Sequence, residues 1–200
     1  MGACGCQKSG HDTPEWGNPA RPYDLNRRDA LISLPDGHWG TLATIQAMTG
    51  LVEKDAQDEY TRRAVEEIIK SRNGDPVTAL FLFARDNITY QDDFPAGVER
   101  IQDFRQLMAS RAGDCDDKAT WLATALTTIG KAVRFRIQSY ASDFWANGWD
   151  HVYVEFYDWA RWQWVALDPT ADGHDKTPIA APGWRQPLPL AGLDIWADYR

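Results

Sequence analysis

Cys115 stands in the run Gly113-Asp114-Cys115-Asp116-Asp117-Lys118, a lone thiol among three carboxylates. Three chemistries compete for it: a catalytic nucleophile, a metal ligand, or an inert small side chain in a core. Acidic neighbours disfavour a thiolate, so a nucleophilic role needs compensation. After Cys115, the residues Ala119, Leu122, Ala125, Leu126 and Ile129 recur at helical spacing, and Gly130 is a natural stop. Cys115 therefore begins a helix, where the macrodipole and the unpaired backbone N–H groups favour an anion. Asp114 fits the N-cap and Asp116 and Asp117 the first turn, where carboxylates are favourable. The acids thus serve the helix as readily as the thiol. A histidinium within hydrogen-bond reach is the usual cation that tips the balance toward thiolate.

Four histidines are available: His11, His38, His151 and His174. A general base needs a fixed position and an orienting carboxylate on its other nitrogen. His151-Val-Tyr-Val-Glu-Phe-Tyr157 reads as a strand, and so does Trp162-Gln-Trp-Val-Ala-Leu-Asp168. The connection between them, Asp158-Trp159-Ala160, is short enough for an antiparallel hairpin. His151 opens the first strand and Asp168 closes the second, so the spacing predicts cross-strand neighbours. That assembles Cys115, His151 and Asp168 as nucleophile, base and orienting acid. Each residue has a plainer reading alone: a buried cysteine, a polar strand-edge histidine, an Asp-Pro turn signal. Their order and their placement on these elements favour the joint reading.

The elements that must hold these groups are legible upstream. Leu42, Ile45 and Met48 share a helix face within 41–51. A second amphipathic pattern runs from Asp55 to Arg72 through Tyr60, Ala64, Val65, Ile68 and Ile69, and Asn73-Gly74 stops it. Asp75-Pro76 reads as N-cap and first position of another helix, burying Val77, Leu80, Phe81, Ala84 and Ile88. Residues 90–97 read as a loop and 103–110 as a short helix. After Gly130 the period changes to two, with Val133, Phe135 and Ile137 alternating against Arg134, Arg136 and Gln138. A polar loop, 141–150, leads into the hairpin, and Pro169 ends its second strand. Helices first and an antiparallel sheet after them make an α+β fold. The expected organisation is an irregular arm over 1–37, with a short extended piece near Ala30–Leu34, a domain over 38–170, and an extended Pro- and Trp-containing tail over 171–200.

The net charge of −8 argues against nucleic acid or an anionic membrane surface as partner. No apolar run is long enough to span a bilayer, and no secretory signal is expected from the N-terminal residues. Three cysteines, Cys4, Cys6 and Cys115, make no disulfide framework and fit a reducing, cytoplasmic compartment. Cys4 and Cys6 with His11 lack the second ligand pair of a metal site, so a redox-sensitive tail is the plainer reading. Ten tryptophans are the unusual feature of the composition, with Trp145, Trp149, Trp159, Trp162 and Trp164 grouped together. They read as an aromatic core and interface, or as a cleft wall or docking surface.

The segments GDCDDKATWLATALTTIGKAVRF, DHVYVEF and WVALDPT, with ALFLFARDNITYQDD upstream, resemble the transglutaminase-like cysteine protease superfamily of papain-like fold. The Gly-Asp-Cys-Asp-Asp form resembles its bacterial and bacteriophage members. The resemblance covers roughly residues 40–170. It implies the same nucleophile, base and acid at Cys115, His151 and Asp168. It also implies a side-chain oxyanion donor upstream, for which Gln102 is the candidate, beside the Cys115 backbone N–H. The implied reaction is acyl transfer through a thioester on a protein or peptide substrate, without metal or organic cofactor. A peptidase or amidase is expected first and a glutamine-to-amine cross-linker second. A third expectation is a docking protein on an inherited scaffold, with other proteins of a phage particle as partners.

Overall fold

The Asp75 cap expected from the sequence meets a specific backbone partner in the computed structural model, which describes residues 38–93, 100–138, 151–170 and 185–187. The arm over 1–37, with Cys4, Cys6, His11 and the Ala30–Leu34 piece, lies outside the described residues. So do the 141–150 loop and nearly all of the tail, His174 included. Helix α1 spans His38–Asp55, α2 Glu59–Arg72, α3 Pro76–Asn87, α4 Phe104–Ser110 and α5 Cys115–Thr128. The helix expected from Asp55 to Arg72 is divided. Asp55 ends α1, and its buried carboxylate accepts the Phe104 N–H at 2.9 Å. Asp58 then caps α2 by accepting the Tyr60 N–H at 2.8 Å. Two aspartates that read as helix surface are therefore used at a junction between helices. Asp75 caps α3 as expected, accepting the Thr78 N–H at 2.8 Å with Pro76 in the first turn. Asp103 and Gln106 close a capping box on α4.

The chain then forms β3 (Val133–Gln138), β4 (His151–Asp158) and β5 (Gln163–Leu167), with a short β6 (Arg185–Pro187) in the sheet order β5-β4-β3-β6, all antiparallel. Val133, Phe135 and Ile137 of β3 and Val152, Val154 and Phe156 of β4 enter one core with the helices. At its centre Trp121 of α5 lies stacked between Phe83 and Phe104, with both ring pairs 5.2 Å apart. Helix α5 packs on β4, β3 and the other four helices. Arg134 and Arg136 instead share Glu155, at 2.6 and 3.1 Å. These observations establish the expected α+β architecture.

Two ladders carry no sequence signal. Strand β1 (Thr89–Tyr90) pairs in parallel with β2 (Ala112–Gly113), and β6 pairs with the edge of β3. Two or three residues are too few to show a period. The tryptophans divide as well. Trp159 and Trp162, in the turn between β4 and β5, are 58% and 74% exposed, so they are not part of the core. They lie at the opposite end of the hairpin from His151. Among the described residues no helix is long and apolar enough to cross a membrane.

Candidate active site

Cys115 is the first residue of α5, and its side chain is half-buried at the edge of the core. The position is set from both sides. Upstream, the β1–β2 ladder fixes the approach: Thr89 N–H donates to Arg111 O at 2.8 Å and Gln91 N–H to Gly113 O at 3.1 Å. Downstream, Lys118 N–H donates to Asp114 O at 3.1 Å, the first bond of the helix. Gly113 is required where it stands, because a Cβ there would come within 2.7 Å of the Asp117 Cβ.

The neighbouring acids do not behave as exposed first-turn carboxylates. Asp114 occupies the N-cap, yet its side chain makes no capping bond. Asp116 and Asp117 are buried. Burial pushes the Asp116 carboxyl well up, and the neighbouring Asp114 adds to this. Asp114 Oδ1 and Asp116 Oδ2 are sealed and have no hydrogen-bond partner among the described residues. Burial likewise pushes Asp117 up, to about 7, against hydrogen bonds from Gln102 that favour its ionised form. Retained protons reduce the negative charge beside Cys115 and so ease the conflict between a thiolate and three acids.

Gln102 is the partner of Asp117. Its backbone N–H donates to Asp117 Oδ1 at 2.6 Å, and its Nε2 donates to Asp117 Oδ2 at 2.7 Å and to Ala112 O at 2.9 Å. Its Oε1 accepts the Ser110 hydroxyl at 2.9 Å. Both amide hydrogens are thus committed to bracing β2 and the first turn of α5.

His151 and Asp168 meet as a pair, His151 Nε2 lying 2.7 Å from Asp168 Oδ2, with both side chains largely buried. The contact is diagonal. The β4–β5 register ends at Val154↔Leu167, and its continuation sets Asp168 opposite Tyr153, two residues from His151 on the same face. The other Asp168 oxygen, Oδ1, accepts the Thr170 hydroxyl at 2.6 Å and the Thr170 N–H at 3.0 Å. Burial alone would raise the Asp168 carboxyl, but the bonds from His151 and Thr170 outweigh it and hold the group below the usual range. An ionised Asp168 accepts a hydrogen bond from His151 Nε2–H, a tautomer that leaves Nδ1 as the basic nitrogen. Thr170 was not singled out in the sequence; the Asp-Pro-Thr turn was its signal.

Asp114, Asp116 and Asp117 each offer an oxygen within 4.8 Å of the others, the spacing of a cation site. Asp117 already spends both oxygens on Gln102, and Asp116 Oδ1 accepts the Asp117 N–H at 2.7 Å. Cys115 is not part of that group, so among the described residues it belongs to no set of three ligand-type side chains.

A family model described as the transglutaminase-like superfamily matches residues 58–169, more than half of the chain. Among curated proteins no relative matches the chain. Among solved structures it resembles a candidate cysteine protease from Cytophaga hutchinsonii, at 18% identity and TM-score 0.43, over 57% of this chain and 38% of that one. It also resembles a candidate protease from Parabacteroides distasonis, at 12% identity and TM-score 0.48, over 73% of this chain and 35% of that one. The chain spans little more than a third of each of these proteins.

Proposed function

Since the chain belongs to the transglutaminase-like superfamily, we propose that it is a cysteine-dependent acyl-transfer enzyme working through Cys115, His151 and Asp168. The observation that carries this reading is the 2.7 Å contact between His151 Nε2 and Asp168 Oδ2. It supplies the orienter that a histidine base requires, in a sequence whose thiol opens the central helix. His151 Nδ1 takes the Cys115 proton, and the thiolate attacks an amide carbonyl of a protein or peptide. The tetrahedral oxyanion is held by N–H groups of the α5 N-terminus, that of Cys115 first. His151 returns the proton to the leaving amine, and a water molecule then resolves the thioester. In this reading Gln102 positions the helix start, because its amide hydrogens are already used.

Hydrolysis is the primary assignment, giving a peptidase or amidase. Transfer to an amine in place of water would make the same machinery a cross-linker. The docking reading has the exposed Trp159 and Trp162 in its favour; no finding points to a phage particle. Incubating the protein with unstructured polypeptides and resolving the products by mass spectrometry separates the outcomes. New peptide termini support hydrolysis, and ammonia with joined chains supports cross-linking. Both must vanish in Cys115→Ala. Products that persist in that variant would remove the thiol from the mechanism.

A further inference from the structure

Lys118 is 3% exposed, and its Nζ donates to Ile88 O at 2.8 Å. Among the described residues it makes no ion pair. Two carboxylates act on it electrostatically, Asp168 first and then Asp86, and both are engaged elsewhere. Asp168 binds His151 and Thr170. Asp86 binds Arg85 at 2.7 Å and Arg72 at 3.4 Å. A buried ammonium with one neutral acceptor and two further N–H groups is costly, and such cations are ordinarily paired.

The cation also lines a cavity of about 410 Å³, whose wall includes Arg85, Asp86, Tyr90, Pro169 and Thr170; Arg85 and Asp86, its other charged groups, pair with each other. This space adjoins the candidate site in three ways. Lys118 follows Cys115 by three residues on α5, a spacing that places them side by side on the helix surface. Thr170 binds Asp168 directly. Tyr90 pairs with Gly113, two residues before Cys115, in the β1–β2 ladder.

We propose that this cavity is a substrate subsite in which Lys118 receives a carboxylate borne by a residue near the scissile amide. The proposal rests on the acyl-transfer reading and names the substrate class for it. The carboxylate has two sources, an aspartate or glutamate side chain or the C-terminus of a peptide. Calorimetric titration of full-length Cys115→Ala protein with three probes distinguishes them: N-acetylglutamic acid α-amide, N-acetylalanine, and neutral N-acetylglutamine α-amide. At least one carboxylate probe is expected to bind about tenfold tighter than the neutral one, the size of one hydrogen bond between charged groups. The first probe winning identifies a side-chain site and the second a C-terminal one. The preference should disappear in Lys118→Met. Equal binding of all three probes, no binding, or a preference that survives Lys118→Met overturns the proposal. Should Lys118→Met fail to fold, the NMR shift of the Lys118 ε-methylene during the same titrations replaces it, and an unmoved signal overturns the proposal equally. Binding needs no turnover. A protein that binds carboxylates but transfers no acyl group keeps the subsite and loses the enzyme; turnover without carboxylate preference does the reverse.

Discussion

Asp168 and Asp117 carry opposite electrostatic assignments, and each has its own signature. Asp168 titrates below its ordinary value of 3.8 in the folded chain. The unfolded chain takes up that proton first, so the stability Asp168 contributes is complete above pH 3.8 and is lost as the pH falls through the lower folded value. Asp168→Asn keeps the shape but not the charge that orders the Nε2 proton. Turnover should drop by about a hundredfold or more, with the fold retained by circular dichroism. Asp117 runs the other way, raised from 3.8 to about 7. Between those values the folded protein holds a proton that the unfolded chain has released, so this contribution falls as pH rises across the window. Asp117→Asn removes the ionisation. Denaturation of both proteins between pH 4 and pH 8 should show the variant gaining relative stability with rising pH; a constant difference would refute the assignment.

At the scale of elements, the start of α5 depends on packing more than on capping. Gly113→Ala drives a Cβ into Asp117. It should cost about 1–3 kcal/mol in chemical denaturation and slow reaction at Cys115, because the first turn must shift. Trp121→Ala empties the space between Phe83 and Phe104 and should cost about 3–5 kcal/mol. Periodicity made these elements readable: the α5 stripe, the Asp75-Pro76 cap and the alternation in β3 all appear where the sequence implies. What lay beyond reading was tertiary. Asp55 and Asp58 look like helix surface until Phe104 and Arg105 arrive beside them. Gln102 looks like a donor for a reaction until Asp117 and Ala112 take both its hydrogens. The meeting of His151 with Asp168 was legible because hairpin geometry brings strand ends together, although its diagonal offset depends on a register that alternation alone does not fix.

For the whole molecule, the division of labour is simple. Helices α1–α4 and the sheet enclose α5, so its N-terminus is held against a braced first turn, and the hairpin supplies a buried imidazole–carboxylate pair. The exposed tryptophans stand at the far end of that hairpin, outside this arrangement. The central claim is that His151, held by Asp168, activates the Cys115 thiol. Its most direct test is the rate of iodoacetamide alkylation of Cys115 against pH, resolved from Cys4 and Cys6 by peptide mapping. Cys115 should react selectively below neutral pH, and His151→Ala should slow it by about tenfold or more while leaving the other two cysteines unchanged. Uniform slow labelling of all three cysteines, or a Cys115 rate untouched by His151→Ala, would contradict the account.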